Sequence, residues 1–506
     1  MKKVFGKFAT VSVAALLATG TATAALADNP TIQGAGSTWS QIAVDQWRAD
    51  VKSKLGLKVN FTGSGSSAGR SLYIAGKVDF AVTEIPFSKE GDPGVVAGQA
   101  EVTSLEAQKK TYQYFPIVAG GTALMYNLLD ATGKRITSLQ LSPETIAQIF
   151  TGKIKNWSDP KIAADNGGKA LPSRAITPVV RSDGSGTSAQ FSAFLAKQES
   201  AYWSPFADDN GIPTTAGTSN YPVATGFVGQ TGSDGVANYV ANRSTGIGAI
   251  GYVETGYALQ RGFPVAAVKN KSGKYVLPTP ENVSVALQAA RLNPDNTQIL
   301  TGVYNNTNAN AYPISSYSYM VTNKDTGLPN DKGAVLSSYV RYFACEGQQK
   351  AAVLGYAPLP PVLVQVVFDA ITHIPGHIKI PAKPTAQNCA NPTFTGKLGE
   401  GANSAGNSGT GGFTGSGTGT DGTGTTTGTG TDGTGTTTGT GTDGTGTTTG
   451  TGTVLDNNQS PVKAVQINVA PQGSKVVWPA LAVILVIIGP SLAVTAYRKV
   501  TSRSAR

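Results

Sequence analysis

The sequence predicts an α/β fold for about residues 28–394. Short apolar or alternating segments, which are typical of strands, take turns there with segments whose apolar residues recur at helical spacing. Loops rich in glycine and serine join several of these strands to the following helices, and such loops present free backbone N–H groups at helix N-termini. A chain of 506 residues is long enough for two domains with cores of their own, plus further segments.

Three loops of this kind lie along the predicted domain. The first, residues 34–39, precedes a helix that Gly56 ends. The predicted buried face of that helix comprises Val44, Trp47, Val51 and Leu55. The second loop, residues 63–69, follows an alternating strand at 57–61 and opens a helix around residues 72–75. Capping alone explains most single loops of this type, but three in one chain indicate one shared anion site.

The third loop, residues 181–188, lies between an apolar strand at 176–180 and a predicted helix that starts at Ser188. Its glycines allow the backbone to approach a ligand closely. Arg181 brings a planar cation suited to oxyanions, and Ser185 and Thr187 bring hydroxyl donors. This density of donors predicts a site for a small anion.

Later segments continue the α/β pattern. Ser142, Pro143 and Glu144 form a helix start with a cap, a first-position proline and a first-turn acid. A further helix precedes Cys345, with an apolar face made of Leu336, Tyr339, Val340 and Phe343. Asp234 in the string Gly-Ser-Asp-Gly is interpreted as a turn residue and not as a ligand.

Both ends of the chain carry targeting signals. Residues 1–27 have the basic start, apolar centre and Ala-Leu-Ala end of a secretory signal peptide. Residues 475–497 form a predicted transmembrane helix, within which residues 476–496 are 21 residues without a charge. The basic tail at 498–506 places that end in the cytoplasm and the bulk of the chain outside the cell. The sequence lacks the Leu-Pro-x-Thr-Gly string of a sortase signal.

Residues 395–474 are interpreted as a linker rich in glycine and threonine. Residues 417–449 repeat one eleven-residue unit three times. The unit contains no apolar side chain with which repeats could stack, so we predict a disordered tether.

The composition of the chain excludes some classes of function. The net charge of +10 falls to about +2 once the three lysines of the signal and the five basic residues of 475–506 are set aside, which argues against nucleic-acid binding.

The only two cysteines, Cys345 and Cys389, are expected to form a disulfide in an exported protein. With His373 and His377 as the only histidines and no metal-binding spacing, neither a metal site nor a cofactor is predicted.

Taken together, these motifs resemble the phosphate-binding proteins of bacterial ABC-type phosphate transporters over about residues 31–394. The matching segments are 34–39, 63–67, 78–80 with the following acid, 149–160, 181–187, 248–254, 312–314 and 354–360. The resemblance implies a two-lobed α/β protein in which the chain crosses between lobes near 115–116 and again within 263–268. Lobe one would comprise 28–115 and 268–394, lobe two 116–267, with the ligand in the cleft between them.

The same resemblance implies a set of phosphate ligands. They are Thr38, Trp39, Ser66, Glu84, Arg181, Ser185, Gly186 and Thr187, with Asp183 orienting Arg181. This sequence departs from the family pattern at two positions. Glu84 stands where aspartate is usual, and Trp39 stands where phenylalanine is common.

The implied function is a membrane-tethered, extracytoplasmic binding protein, monomeric and without catalytic activity. It would capture inorganic phosphate and pass it to an ABC-type permease. Two alternatives remain open from the residues. Residues 65–69 match the Gly-x-Ser-x-Gly pattern of a serine hydrolase. A cell-surface protein could also use the same fold for another oxyanion or for adhesion.

Overall fold

The computed structural model describes residues 29–398. The predicted signal peptide, nearly all of the linker, the transmembrane helix and the basic tail lie outside the described residues. Within 29–398, no helix is both long enough and apolar enough to cross a bilayer.

The described residues form an α/β fold of thirteen strands and thirteen α-helices. The strands are β1 Ile32–Gly36, β2 Val59–Gly63, β3 Phe80–Thr83, β4 Tyr112–Tyr126, β5 Gln140–Leu141, β6 Thr177–Arg181, β7 Val228–Gln230, β8 Ala249–Glu254, β9 Ala267–Lys269, β10 Tyr275–Val276, β11 Arg291–Leu292, β12 Gln298–Ile299 and β13 Ser315–Asn323. The helices are α1 Gln41–Leu55, α2 Ser66–Ile74, α3 Glu101–Ala107, α4 Pro143–Phe150, α5 Pro160–Asp165, α6 Gly186–Gln198, α7 Ser200–Asp209, α8 Gly232–Ala241, α9 Thr255–Arg261, α10 Pro280–Leu287, α11 Thr301–Tyr304, α12 Asn330–Ala344 and α13 Pro361–Ile371.

The main sheet has eight strands in the order β2-β1-β3-β13-β4-β8-β6-β7. The long strand β4 joins its two halves, because residues 112–121 pair with β13 and residues 122–126 pair with β8. Strands β2, β1 and β3 are mutually parallel, and so are β8, β6 and β7. Two parallel halves joined by one shared strand fit the two-lobed architecture that the resemblance implies.

The carboxyl ends of the two parallel halves meet beside the middle of β4. On one side, Thr83 at the end of β3 pairs with Tyr319, which in turn pairs with Pro116 of β4. On the other side, Glu254 at the end of β8 pairs with Thr122 of β4. Ligands of open α/β sheets bind at the carboxyl ends of strands. The topology therefore directs the loops of both halves toward one place.

Helix α1 confirms the predicted helix after the first loop. Val44, Trp47 and Val51 are buried, and Gly56 ends the helix with a left-handed φ of 64°. Leu55 does not belong to the buried face, since 48% of it is exposed. It is the last helical residue, and the chain turns at Gly56, so that Leu57 takes the buried position instead.

Two other helix starts can be compared with their sequence signals. Ser142 caps α4 as predicted, because its hydroxyl accepts a hydrogen bond from the N–H of Thr145. Helix α6 starts at Gly186, two residues before the predicted start, and Ser185 is its cap. Thr187 therefore lies in the first turn of α6 and not in a loop.

The predicted disulfide between Cys345 and Cys389 is confirmed. It links the end of α12 to the last described segment across a sequence separation of 44. Closing a loop of that length stabilises the fold by roughly 4 kcal/mol in the chain-entropy model.

We expect the double variant Cys345→Ser, Cys389→Ser to have a free energy of unfolding lower by about this amount in urea denaturation. A loss below about 1 kcal/mol would show that the bridge contributes little to stability.

Candidate functional site

Each candidate residue lies at the carboxyl end of a strand or in the segment that follows it. Thr38 lies between β1 and α1, Ser66 opens α2 after β2, and Glu84 follows β3 directly. From the other half of the sheet, Arg181 is the last residue of β6, and Thr187 lies at the start of α6. All five are at least nine-tenths buried. The fold thus brings together residues up to about 150 positions apart in the sequence.

Ser66, Glu84 and Gly186 form the first of two connected groups. The Ser66 hydroxyl donates to Oε2 of Glu84 at 2.8 Å and accepts from the N–H of Gly186 at 3.2 Å. A Cβ atom at Gly186 would lie 1.9 Å from Oε2 of Glu84 and 2.6 Å from Oγ of Ser66. Only glycine allows α6 to approach the carboxylate this closely.

Arg181, Asp183, Ser233 and Thr38 form the second group. The Asp183 carboxylate accepts from Nε of Arg181 at 2.7 Å and from Nη2. Nη1 of Arg181 donates to the Ser233 hydroxyl at 3.3 Å, which lies 3.0 Å from Oγ1 of Thr38. These contacts use three of the five guanidinium N–H groups, so two remain for a ligand. Burial acts to raise the pKa of Asp183, but the hydrogen bonds and charge of Arg181 outweigh it and lower that pKa.

Three other predicted ligands differ in how their polar atoms are used. Oγ1 of Thr187 is buried without a hydrogen-bond partner anywhere in 29–398. The Ser185 hydroxyl accepts from the N–H of Ser188 at 3.1 Å and can still donate its own proton. The backbone N–H of Trp39 donates to Oγ of Ser37 at 3.0 Å. Thr187 and Ser185 therefore have donor capacity in the site, whereas the Trp39 N–H is engaged by its own loop.

Glu84 is the buried acceptor of the site. Burial raises its pKa, and hydrogen bonds from Ser37, Ser318 and Ser66, together with the charge of Arg181, oppose that rise. Ser318 donates to Oε1 of Glu84 at 2.8 Å. The two carboxylate oxygens have about four lone pairs, and the three serine hydrogen bonds use three of them, so one remains to accept a proton from a ligand. The site therefore combines several donors with one fixed acceptor.

A family model described as the PBP superfamily domain matches residues 19–346. The phosphate-binding protein PstS of Pasteurella multocida (strain Pm70) is 32% identical over 339 residues, which cover 67% of this chain and 88% of that protein. The chain belongs to the phosphate-binding protein family. PstS of Xylella fastidiosa (strain Temecula1 / ATCC 700964) is 33% identical over 338 residues, or 66% of this chain and 83% of that protein.

One solved structure agrees with the fold. The ancestral soluble variant of the human phosphate-binding protein superposes with a TM-score of 0.50 at 17% identity, covering 67% of this chain and 93% of that one. At this identity the match bears on the fold alone. The predicted α/β substrate-binding fold is confirmed.

Within residues 29–398, the serine of the Gly-x-Ser-x-Gly pattern has no histidine partner. Ser67 is the serine of that pattern, and within residues 29–398 its buried hydroxyl has no hydrogen-bond partner. Nδ1 of His373 contacts Asp325, and Nδ1 of His377 contacts the carbonyl of Ile374. Because neither histidine reaches Ser67, the geometry gives the hydrolase hypothesis no support.

Sequence reasoning missed two serines that contact predicted site residues of this phosphate-binding protein. Ser233 bonds to Thr38 and Arg181, and Ser318 bonds to Glu84. The segment around Asp234 is the start of α8 and not a turn, and Asp234 forms an ion pair with Arg261. The sequence did contain a signal for Ser233. Like the other three loops, this segment places a glycine and a serine before an apolar helical pattern.

Proposed function

We propose that this chain captures inorganic phosphate outside the cytoplasm and delivers it to an ABC-type permease. Family membership supports phosphate as the ligand. The signal-like start supports export, and the apolar segment at 475–497 with its basic tail supports attachment to a membrane. In this proposal the chain binds its ligand and does not transform it.

One observation carries the choice of ligand. A buried site contains the Arg181 guanidinium, hydroxyl donors and, among them, the Glu84 carboxylate. A carboxylate would repel a fully ionised anion in a site that excludes water. Phosphate keeps at least one proton near neutral pH, and that proton can be donated to Glu84. Donors for the ionised oxygens and an acceptor for the protonated one therefore match phosphate.

Isothermal titration calorimetry with the full chain tests this function. We expect saturable binding of inorganic phosphate with one site per chain, and no heat from sulfate at the same concentrations. Under the alternative in which the fold serves adhesion, neither anion binds. Tighter binding of another oxyanion than of phosphate would replace phosphate as the ligand.

Ser233 should contribute to phosphate affinity although the sequence did not identify it. It connects Thr38 to Arg181, which belong to the two halves of the sheet. We expect Ser233→Ala to weaken phosphate binding by roughly two- to tenfold, the value of one neutral hydrogen bond. Ser182→Ala is the matched control, because Ser182 is exposed and bonds to Thr231. Equal affinities of both variants and wild type would exclude a role for Ser233.

A further inference from the structure

An apolar groove lies apart from the candidate phosphate site. Its cavity measures about 320 Å³ and its walls are mostly apolar. Ala119 and Tyr317 line it from the main sheet, Leu287 and Leu292 from the region of α10 and β11, and Leu363 from α13. Val362, also in the lining, is 67% exposed. The groove is therefore an open apolar surface on the domain.

The chain leaves the described domain at this groove. Gly396, Lys397 and Leu398, the last described residues, are part of its lining. The residues that follow are almost all glycine, threonine, serine, asparagine or aspartate. Between 399 and 453, Phe413 is the only residue with an apolar side chain larger than that of alanine. One aromatic residue thus follows the groove closely, in a segment that otherwise offers nothing to bury.

The distance along the chain suits a return to the groove. Phe413 lies fifteen positions after Leu398, and a glycine-rich coil of that length spans roughly 20 Å on average. A side chain attached through such a linker has an effective concentration in the millimolar range at its starting point. A phenylalanine ring is large and apolar, so its burial in a preformed apolar cavity contributes a favourable free energy of binding.

We propose that the groove binds Phe413 of the same chain. The first part of the linker is then held on the domain, and only the residues beyond Phe413 act as a free tether. The occupant is this segment and not a second copy, because the linker begins inside the groove itself.

The groove and the candidate phosphate site use neighbouring residues of β13 that face opposite ways. Tyr317 lines the groove, whereas Ser318 donates to Glu84. Successive side chains of a strand point to opposite faces of the sheet. Docking of Phe413 therefore leaves the phosphate contacts in place, and Phe413→Ala should bind phosphate as wild type does.

Photo-crosslinking in the full chain tests the docking. The probe p-benzoylphenylalanine replaces Phe413, and crosslinked peptides are mapped by mass spectrometry. We expect the main products within one chain, on residues 284–292 and 358–363. The control carries the same probe at Thr426, within the repeats, with Phe413 intact. Its yield on these peptides should be lower by at least about fivefold, because Phe413 then occupies the groove.

A groove-filling variant makes the test decisive. Ala290→Trp places a large side chain in the cavity, and Ser284→Trp serves if the first variant lowers the unfolding temperature. Either variant should reduce the yield of crosslinks between the probe at position 413 and the groove peptides by about fivefold or more. Unchanged products in the filled groove, a yield equal to that of the Thr426 probe, or products joining two chains would each overturn the proposal.

Discussion

Arg181→Ala is expected to weaken phosphate binding more than any other single substitution in the site. Arg181 is 2% exposed, and Asp183 and Ser233 hold its guanidinium in place. Its loss leaves a dehydrated anion without a positive charge at its side. Removing one partner of a buried, hydrogen-bonded charge pair costs about 2–5 kcal/mol, so we expect the Kd measured by calorimetry to rise at least roughly thirtyfold.

Two further variants separate charge from geometry. Arg181→Lys keeps a positive charge but loses the planar fork, so it should recover only part of the affinity. Arg243→Ala removes an exposed arginine from the segment between α8 and β8 and should bind phosphate as wild type does. If Arg181→Ala and Arg243→Ala bind phosphate equally well, Arg181 is not a ligand.

Glu84 is expected to set the preference for phosphate over sulfate, and this preference should depend on pH. Sulfate has no proton to donate and would leave the remaining lone pair of the ionised carboxylate unsatisfied, which costs about 1–3 kcal/mol. Burial raises the pKa of Glu84, so the carboxyl is protonated at a higher pH than an exposed one. The protonated carboxyl of Glu84 can donate a hydrogen bond to a sulfate oxygen. Sulfate affinity should therefore increase as the pH falls through that raised pKa.

Glu84→Gln tests the same mechanism without a change of pH. The amide is a permanent donor, so this variant should bind sulfate about equally from pH 5 to pH 8, and its preference for phosphate should shrink by roughly tenfold. Glu106→Gln, an exposed position, is the matched control. Sulfate binding by wild type at pH 8 as strong as phosphate binding would contradict this role of Glu84.

Local signals in the sequence were sufficient for much of the fold. The spacing of Val44, Trp47 and Val51 predicted α1, and the Ser142 cap predicted the start of α4. These features depend on residues within a few positions of each other. The start of α6 was misplaced by two residues, because Ser185 and Ser188 are equally suitable caps and only the structure shows which one accepts the hydrogen bond.

Contacts between distant residues were not predictable in this way. Ser318 reaches Glu84 across a separation of 234 residues, and Ser233 reaches Thr38 across 195. Nothing in the local sequence around a serine in a buried strand, or around a serine at a helix start, identifies the residue to which it will hydrogen-bond. The sheet topology determines these contacts, because both halves of the sheet present their carboxyl ends to the middle of β4. The lobe boundaries and the phosphate contacts implied by the resemblance stay predictions.

The position of the bound anion tests the account most directly. Arsenate has the shape and proton content of phosphate, and its arsenic atom can be located by anomalous scattering in crystals of the full chain grown with the anion. We expect one strong peak beside the Arg181 guanidinium and the Thr187 hydroxyl, placed so that the arsenate oxygens accept hydrogen bonds from both and one protonated oxygen faces Glu84. A peak elsewhere on the domain, or no peak at saturating arsenate, would contradict the proposed site.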